Sequence, residues 1–263
     1  MSSKPSETLL TLAKNKFEAH QSEARTDKRQ ENQFSKECGL KTALSRNSDF
    51  GLQCPGPMKR LFDIIVAVAG LVFLSPLLLL VGLLVKLDSR GPILFKQERI
   101  GKRFRPFSMY KFRTMHDGAH TTSALTIGAD PRITWVGKYL RATKIDELPQ
   151  LVNVLKGEMS LVGPRPEVPR YVELFRSDYE YILTVRPGLT DLASLKYSDE
   201  ASILGESMNP EGDYVTRLLP DKIQLAKEYI QRSSFLFDGK LIVVTIIKLF
   251  GSSQTRSTKS EAH

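Results

Sequence analysis

The sequence predicts an α+β, mostly helical, monotopic membrane protein with one re-entrant helix, interfacial helices and a small strand element. Three observations carry this reading. Ile64 to Val85 is an uncharged apolar run of 22 residues, and a bilayer-crossing helix needs about 20. Ser75-Pro76 interrupts that run near its middle. Downstream, helical spacings and two short strand-like pieces follow, and no later apolar run is long enough to span.

Residues 1–57 read as a disordered arm. They are rich in Ser, Lys, Glu, Gln and Asn, with apolar residues too sparse for a core. No signal-peptide pattern opens them. The only two cysteines, Cys38 and Cys54, lie in this arm. The rest of the chain therefore holds neither a disulfide framework nor a thiolate metal site. His116 and His120 stand four apart with no further His beside them, a weak metal pattern. The net charge of +9 lies mostly beyond the arm. A basic body suits lipid headgroups, nucleotides and other phosphates.

Residues 58–90 form the membrane element. A soluble core helix is seldom apolar on every face over this length. Pro76 has no N–H for the carbonyl of Val72, and its ring crowds that carbonyl. In hydrocarbon the freed oxygen needs another partner, and the Ser75 hydroxyl is the local candidate. Lys59 and Arg60 precede the run, while Lys86 and Arg90 follow it. Positive residues favour the cytoplasmic side. A helix that enters, bends at Pro76 and returns satisfies both ends; the plainer alternative is a kinked ordinary span.

Residues 91–250 form the soluble-faced domain. Ile93 to Phe95 and Phe107 to Phe112 read as strands around the turn at Gly101-Lys102-Arg103. Trp135 to Arg141 reads as a short helix. Leu148, Leu151, Val152 and Leu155 recur at helical spacing, with Gly157 as the stop. Tyr171 to Leu183 and Lys222 to Ile230 also read as helices. Two apolar runs, Phe235 to Phe237 and Leu241 to Ile247, are divided by Asp238 and Lys240 and suit an interfacial or core helix. The polar tail, residues 251–263, reads as disordered.

The chemistry concentrates at Asp146-Glu147. Asp146 is placed to cap the helix beginning at Leu148, with Pro149 in its first turn, and capping alone would explain it. The neighbouring cations argue for more. Arg141 and Lys144 lie just before the pair, Lys111 and Arg113 further upstream, and Arg165, Arg170 and Arg186 in the turns that follow. A carboxylate at a helix start among cations should stay ionised. Such a carboxylate can attack phosphorus, and its neighbour can bind Mg²⁺ or move protons.

Seven segments then occur in one order: Lys59-Arg60-Leu61-Phe62-Asp63, Ser75-Pro76, Gly91-Pro92-Ile93-Leu94-Phe95-Lys96-Gln97, Lys111-Phe112-Arg113-Thr114-Met115, Ile145-Asp146-Glu147-Leu148-Pro149-Gln150-Leu151, the stretch Leu155 to Pro166, and Arg186-Pro187-Gly188-Leu189-Thr190. In these the chain resembles the bacterial sugar transferases, the monotopic polyprenyl-phosphate phosphoglycosyl transferases, over about residues 58–250. The resemblance implies transfer of a sugar-1-phosphate from a UDP-sugar to undecaprenyl phosphate, with release of UMP. It implies Asp146 as a covalent nucleophile and Glu147 as its assistant. Mg²⁺ would be held by Asp146 and Glu147. Arg141, Arg165, Lys111, Arg113 and Arg186 would meet phosphate or nucleotide. It further implies a cytoplasmic-face catalytic domain on the inner membrane, and a homodimer is one assembly open to it. After Thr190 the family's common Gly-Trp-Ala-Gln-Val gives way to Asp191-Leu192-Ala193-Ser194-Leu195, so no sugar preference carries over.

Two rivals follow from the same residues. A membrane-tethered protein that only binds anionic ligands explains the charge but not the acidic pair in its setting. A phosphohydrolase would use the same carboxylates with water as acceptor. A nucleic-acid partner is not expected, because basic residues do not interleave with aromatics as single-strand binders require.

Overall fold

The computed structural model describes residues 57–116, 130–197 and 200–257. The expectations for the arm, the two cysteines and His120 lie outside the described residues. Over the described residues the chain is mostly helical, with two small two-stranded sheets and one helix long and apolar enough to cross a membrane.

That helix, α1, runs from Pro57 to Asp88. It continues through Pro76, and the Ser75 hydroxyl donates to the Val72 carbonyl at 2.8 Å, the carbonyl that proline leaves without its usual donor. Both ends of α1 are tied to the same folded body. Near the start, Lys59 donates to the Val162 carbonyl and the Tyr229 hydroxyl, each at 3.1 Å, and pairs with Asp238. Arg60 reaches the Val154 and Leu155 carbonyls at 2.7 and 3.0 Å. Buried Asp63 accepts from the Ser160 hydroxyl at 2.7 Å and the Leu161 N–H at 3.2 Å. Near the end, Asp88 accepts from the Val136 N–H at 3.1 Å, while Val81 and Val85 pack on Phe112, Val136 and Leu140. Between the ends the helix projects apolar side chains outward, Phe73 being 82% exposed. Only 11% of its most apolar stretch is buried.

The expected hairpin forms as β1, Leu94–Ile100, and β2, Pro106–Phe112, antiparallel with Leu94 opposite Phe112. Helix α2, Trp135–Thr143, is capped by the Thr134 hydroxyl, which accepts from the Gly137 N–H at 3.0 Å. Helix α3 runs Gln150–Lys156 and stops at Gly157, whose φ of 83° suits a residue without a side chain. Asn153, fully buried on α3, clamps the hairpin to it. Its carboxamide accepts from the Tyr110 N–H at 3.1 Å and donates to the Ser108 carbonyl at 2.7 Å.

Strand β3, Ser160–Val162, comes next. The single helix expected over Tyr171 to Leu183 divides at Phe175 into α4, Pro169–Leu174, and α5, Arg176–Ile182. Strand β4, Gly188–Thr190, pairs parallel with β3, a pairing that three-residue strands leave no pattern to announce. Short helices α6, Leu192–Lys196, α7, Glu200–Gly205, and α8, Pro210–Asp213, lead through a wide turn at Tyr214–Leu218 into α9, Leu219–Arg232. The α4, α5 and α9 helices share a core of Tyr171, Phe175, Tyr179, Leu218 and Ile223 with their neighbours.

The final helix, α10, spans Phe235–Ser257 without a break. It joins the two apolar runs on either side of Asp238 and Lys240 in one helix. Asp238 does not interrupt the helix because Lys59 neutralises it and the Tyr229 hydroxyl donates to it at 2.8 Å. The polar tail expected from residue 251 is helical as far as Ser257.

Candidate active site

Asp146 and Glu147 lie in a 3₁₀ turn, Ile145–Glu147, wedged between α2 and α3. Lys144 enters it with a φ of 58°, a left-handed conformation that turns the chain sharply out of α2. Asp146 is therefore not a cap: α3 begins only at Gln150, with no side-chain cap. The tight turn takes the place that a cap would have held.

Glu147 is the anchored member. It receives Lys111 from the end of β2 at 2.9 Å and Arg165 from the turn after β3 at 2.6 Å. Burial alone would raise its pKa, but these two cations and their hydrogen bonds hold it well below the usual carboxylate range. Burial pulls the Lys111 ammonium down, opposed chiefly by Glu147. For Arg165 the charge of Glu147 outweighs burial and raises its pKa.

Asp146 is the unanchored member. It is 7% exposed, and its Oδ1 is sealed from solvent without a hydrogen-bond partner among the described residues. Burial pushes its pKa up to about 6, against the pull of Lys111, Lys144 and Arg141. The carboxyl still ionises below neutrality, but less readily than its ring of cations alone would make it, because desolvation exceeds their attraction. Arg141 sits in the last turn of α2, where its loss of water is offset first by Asp146 and then by Asp130. Asp130, itself held by Arg132 at 2.6 Å, carried no signal in the sequence.

Three of the anticipated cations are engaged elsewhere. Arg113 turns to the end of α1, donating to the Ser89 carbonyl at 2.6 Å and its hydroxyl at 2.8 Å. Arg186 donates from Nε to the Gly157 carbonyl at 2.9 Å, at the end of α3. Both occupy helix C-termini, where unpaired carbonyls and the negative end of the helix dipole attract a cation. Arg170 pairs with Glu211 at the surface. Lys111, Arg141, Lys144 and Arg165 remain around the acidic pair.

Two further residues at this site were not singled out from sequence. Ser194, on α6, approaches Arg165 at 3.5 Å. Gln150, four residues beyond Asp146, is 1% exposed, and its Nε2 has no partner. No group of three His, Cys, Asp or Glu side chains converges among the described residues. The acidic pair nevertheless fits Mg²⁺, which needs only one or two carboxylates when phosphates and water complete its shell. Glu147 Oε2 has only a 3.4 Å contact with Arg165, which leaves it open to a metal ion.

A buried acidic pair ringed by cations has the charge pattern that suits a phosphate-bearing ligand. The comparisons agree with that class. Residues 55–252 match the bacterial sugar transferase family model, and the chain belongs to that family. It is 43% identical over 201 residues to the undecaprenyl-phosphate glucose phosphotransferase of Komagataeibacter xylinus, covering 72% of this chain and 35% of that one. It is 39% identical over 197 residues to the UDP-glucose:undecaprenyl-phosphate glucose-1-phosphate transferase of Caulobacter vibrioides, covering 73% of this chain and 69% of that one. The exopolysaccharide production protein PSS of Rhizobium leguminosarum bv. phaseoli is 47% identical over 148 residues, covering 53% of this chain and 74% of that one. The chain spans about a third of the Komagataeibacter relative.

Proposed function

We propose that this chain transfers a sugar-1-phosphate from a UDP-sugar to undecaprenyl phosphate, releasing UMP, through a phosphosugar carried on Asp146. The observation that carries the reading is the division of labour in the acidic pair. Glu147 is locked by two cations, whereas Asp146 Oδ1 has no hydrogen-bond partner among the described residues and the carboxyl ionises near pH 6, as an attacking carboxylate requires.

In the first step an Asp146 oxygen attacks the sugar-bearing phosphorus, the phosphoanhydride bond to UMP breaks, and UMP leaves with the bond's electron pair. Because Oδ1 is sealed, attack falls to Oδ2. In the second step a phosphate oxygen of the lipid attacks the same phosphorus and the bond to Asp146 breaks. Lys111, Arg141 and Arg165 oppose the negative charge of the diphosphate throughout. Glu147 is too acidic to take up a proton near neutrality, so its part is to hold Lys111 and Arg165 in place. Mg²⁺ held by Asp146 and Glu147 would screen the diphosphate and the leaving UMP.

Anchorage at both ends of α1 supports a re-entrant helix. A straight helix of 32 residues would separate its ends by about 48 Å. Two ends that grip one folded body leave little room between them for a hydrocarbon core of about 30 Å, which favours this reading over a plain span. This reading puts the active site on the cytoplasmic face of the inner membrane, where soluble nucleotide-sugar and lipid phosphate both have access.

The test is incubation of the purified chain with radiolabelled UDP-glucose or UDP-N-acetylgalactosamine, Mg²⁺ and no lipid. Label retained on the wild type and absent from Asp146→Asn is expected. Equal labelling of both proteins removes Asp146 from the mechanism. Free sugar phosphate formed without lipid favours a hydrolase.

A further inference from the structure

The active-site turn leaves two buried groups unsatisfied, and they are of opposite kinds. Asp146 Oδ1 is an acceptor without a donor, and Gln150 Nε2 is a donor without an acceptor. The backbone places them together. Leu148 and Pro149, between them, both have right-handed helical dihedrals. Hydrogen bonds from the Leu148 N–H to the Ile145 carbonyl, at 3.2 Å, and from the Leu151 N–H to the Leu148 carbonyl, at 3.0 Å, keep the turns continuous. Over four residues such turns advance the chain by only about 6–8 Å, a span that an aspartate and a glutamine side chain together can bridge. A buried amide left unpaired costs stability, so its retention at a reactive carboxylate asks for a reason.

We infer that Gln150 is a positioning residue: its carboxamide N–H meets Asp146 Oδ1 when the donor substrate is bound, and so turns Oδ2 toward the phosphorus. This rests on the assignment of Asp146 as nucleophile. Gln150 touches neither the sugar nor the leaving group; it acts through the carboxylate. The carboxylate must present one oxygen in line with the departing UMP, and a carboxylate held at one oxygen loses the rotation that would misdirect the other. Before substrate arrives both groups stay unpaired, in keeping with catalytic hydrogen bonds that tighten only in the complex.

The experiment compares wild type with Gln150→Met and Gln150→Glu, both close in length to glutamine. Neither offers an N–H at neutral pH. The full chain is incubated with Mg²⁺ and radiolabelled UDP-glucose or UDP-N-acetylgalactosamine, whichever the wild type turns over. Rapid quenching then gives the rate of label transfer to the protein. Both variants are expected to lose roughly ten- to a hundredfold in that rate, while the donor concentration for half-maximal labelling moves less than twofold. Thermal unfolding separates positioning from structure. Gln150→Met removes an unsatisfied donor and is expected to unfold at the wild-type temperature or above. A lower unfolding temperature with an unchanged labelling rate would show a purely structural amide and overturn the inference. Wild-type rates in both variants, with label still lost in Asp146→Asn, overturn the Gln150 assignment alone. Full labelling of Asp146→Asn overturns the nucleophile and this inference with it.

Discussion

At the residue scale, the two carboxylates behave as opposites although they are adjacent. Lys111 and Arg165 reach Glu147 directly and keep it charged. Asp146 feels the same cations at longer range, and burial prevails, so its pKa rises to about 6. Because an attacking carboxylate must be ionised, the rate of label transfer should climb as pH rises through about 6 and then level off. Added Mg²⁺ should shift that rise to lower pH, since a cation favours the charged form; a rate independent of pH between 5 and 7 would contradict the assignment. Stability carries the opposite sign. The folded value lies above the ordinary 3.8, so the fold favours the neutral acid. That contribution is present in full below 3.8 and is lost as pH rises through about 6. Asp146→Asn should therefore be more stable than wild type above that window, by about 3 kcal/mol, and no more stable below it. Denaturant titrations at the two ends of the range would measure the difference.

At the element scale, the site depends on how closely α2 seats against the strand that precedes it. A Cβ on Gly137 would stand 2.2 Å from the Thr114 carbonyl oxygen. Gly137→Ala should push α2 outward, displace Arg141 from the acidic pair, and cost about 1–3 kcal/mol. Loss of both stability and labelling is expected, whereas an alanine variant with wild-type unfolding would mean that α2 can shift without penalty. The hairpin, α2 and the Gly157 stop were legible from short patterns, because each is set by residues close together in sequence. The parallel pairing of β3 with β4 was not legible, since it joins residues far apart in sequence through very few backbone hydrogen bonds. The continuity of α10 likewise rests on a contact between residues far apart in sequence. An Asp inside an apolar run reads as a break until Lys59, from the other end of the chain, is placed against it.

At the scale of the whole molecule, α1 is gripped at both ends by one body, and this is the constraint that topology must respect. With Cys38 and Cys54 replaced, single cysteines at positions 59 and 90 should react with an impermeant reagent from the same side of sealed vesicles. Reaction from opposite sides would overturn the re-entrant reading. The sequence by itself determined the apolar helix, its Ser75-Pro76 repair, the acidic pair and the cations Lys111, Arg141 and Arg165, because hydropathy, a missing N–H and charge are properties that residues carry with them. Only the tertiary structure decided which cations face the pair. Arg113 and Arg186 have the same charge as Arg165, yet helix ends claim them before the acidic pair can. It also decided that Asp146 titrates near 6, because desolvation depends on what surrounds a carboxyl in space and not on its neighbours in sequence.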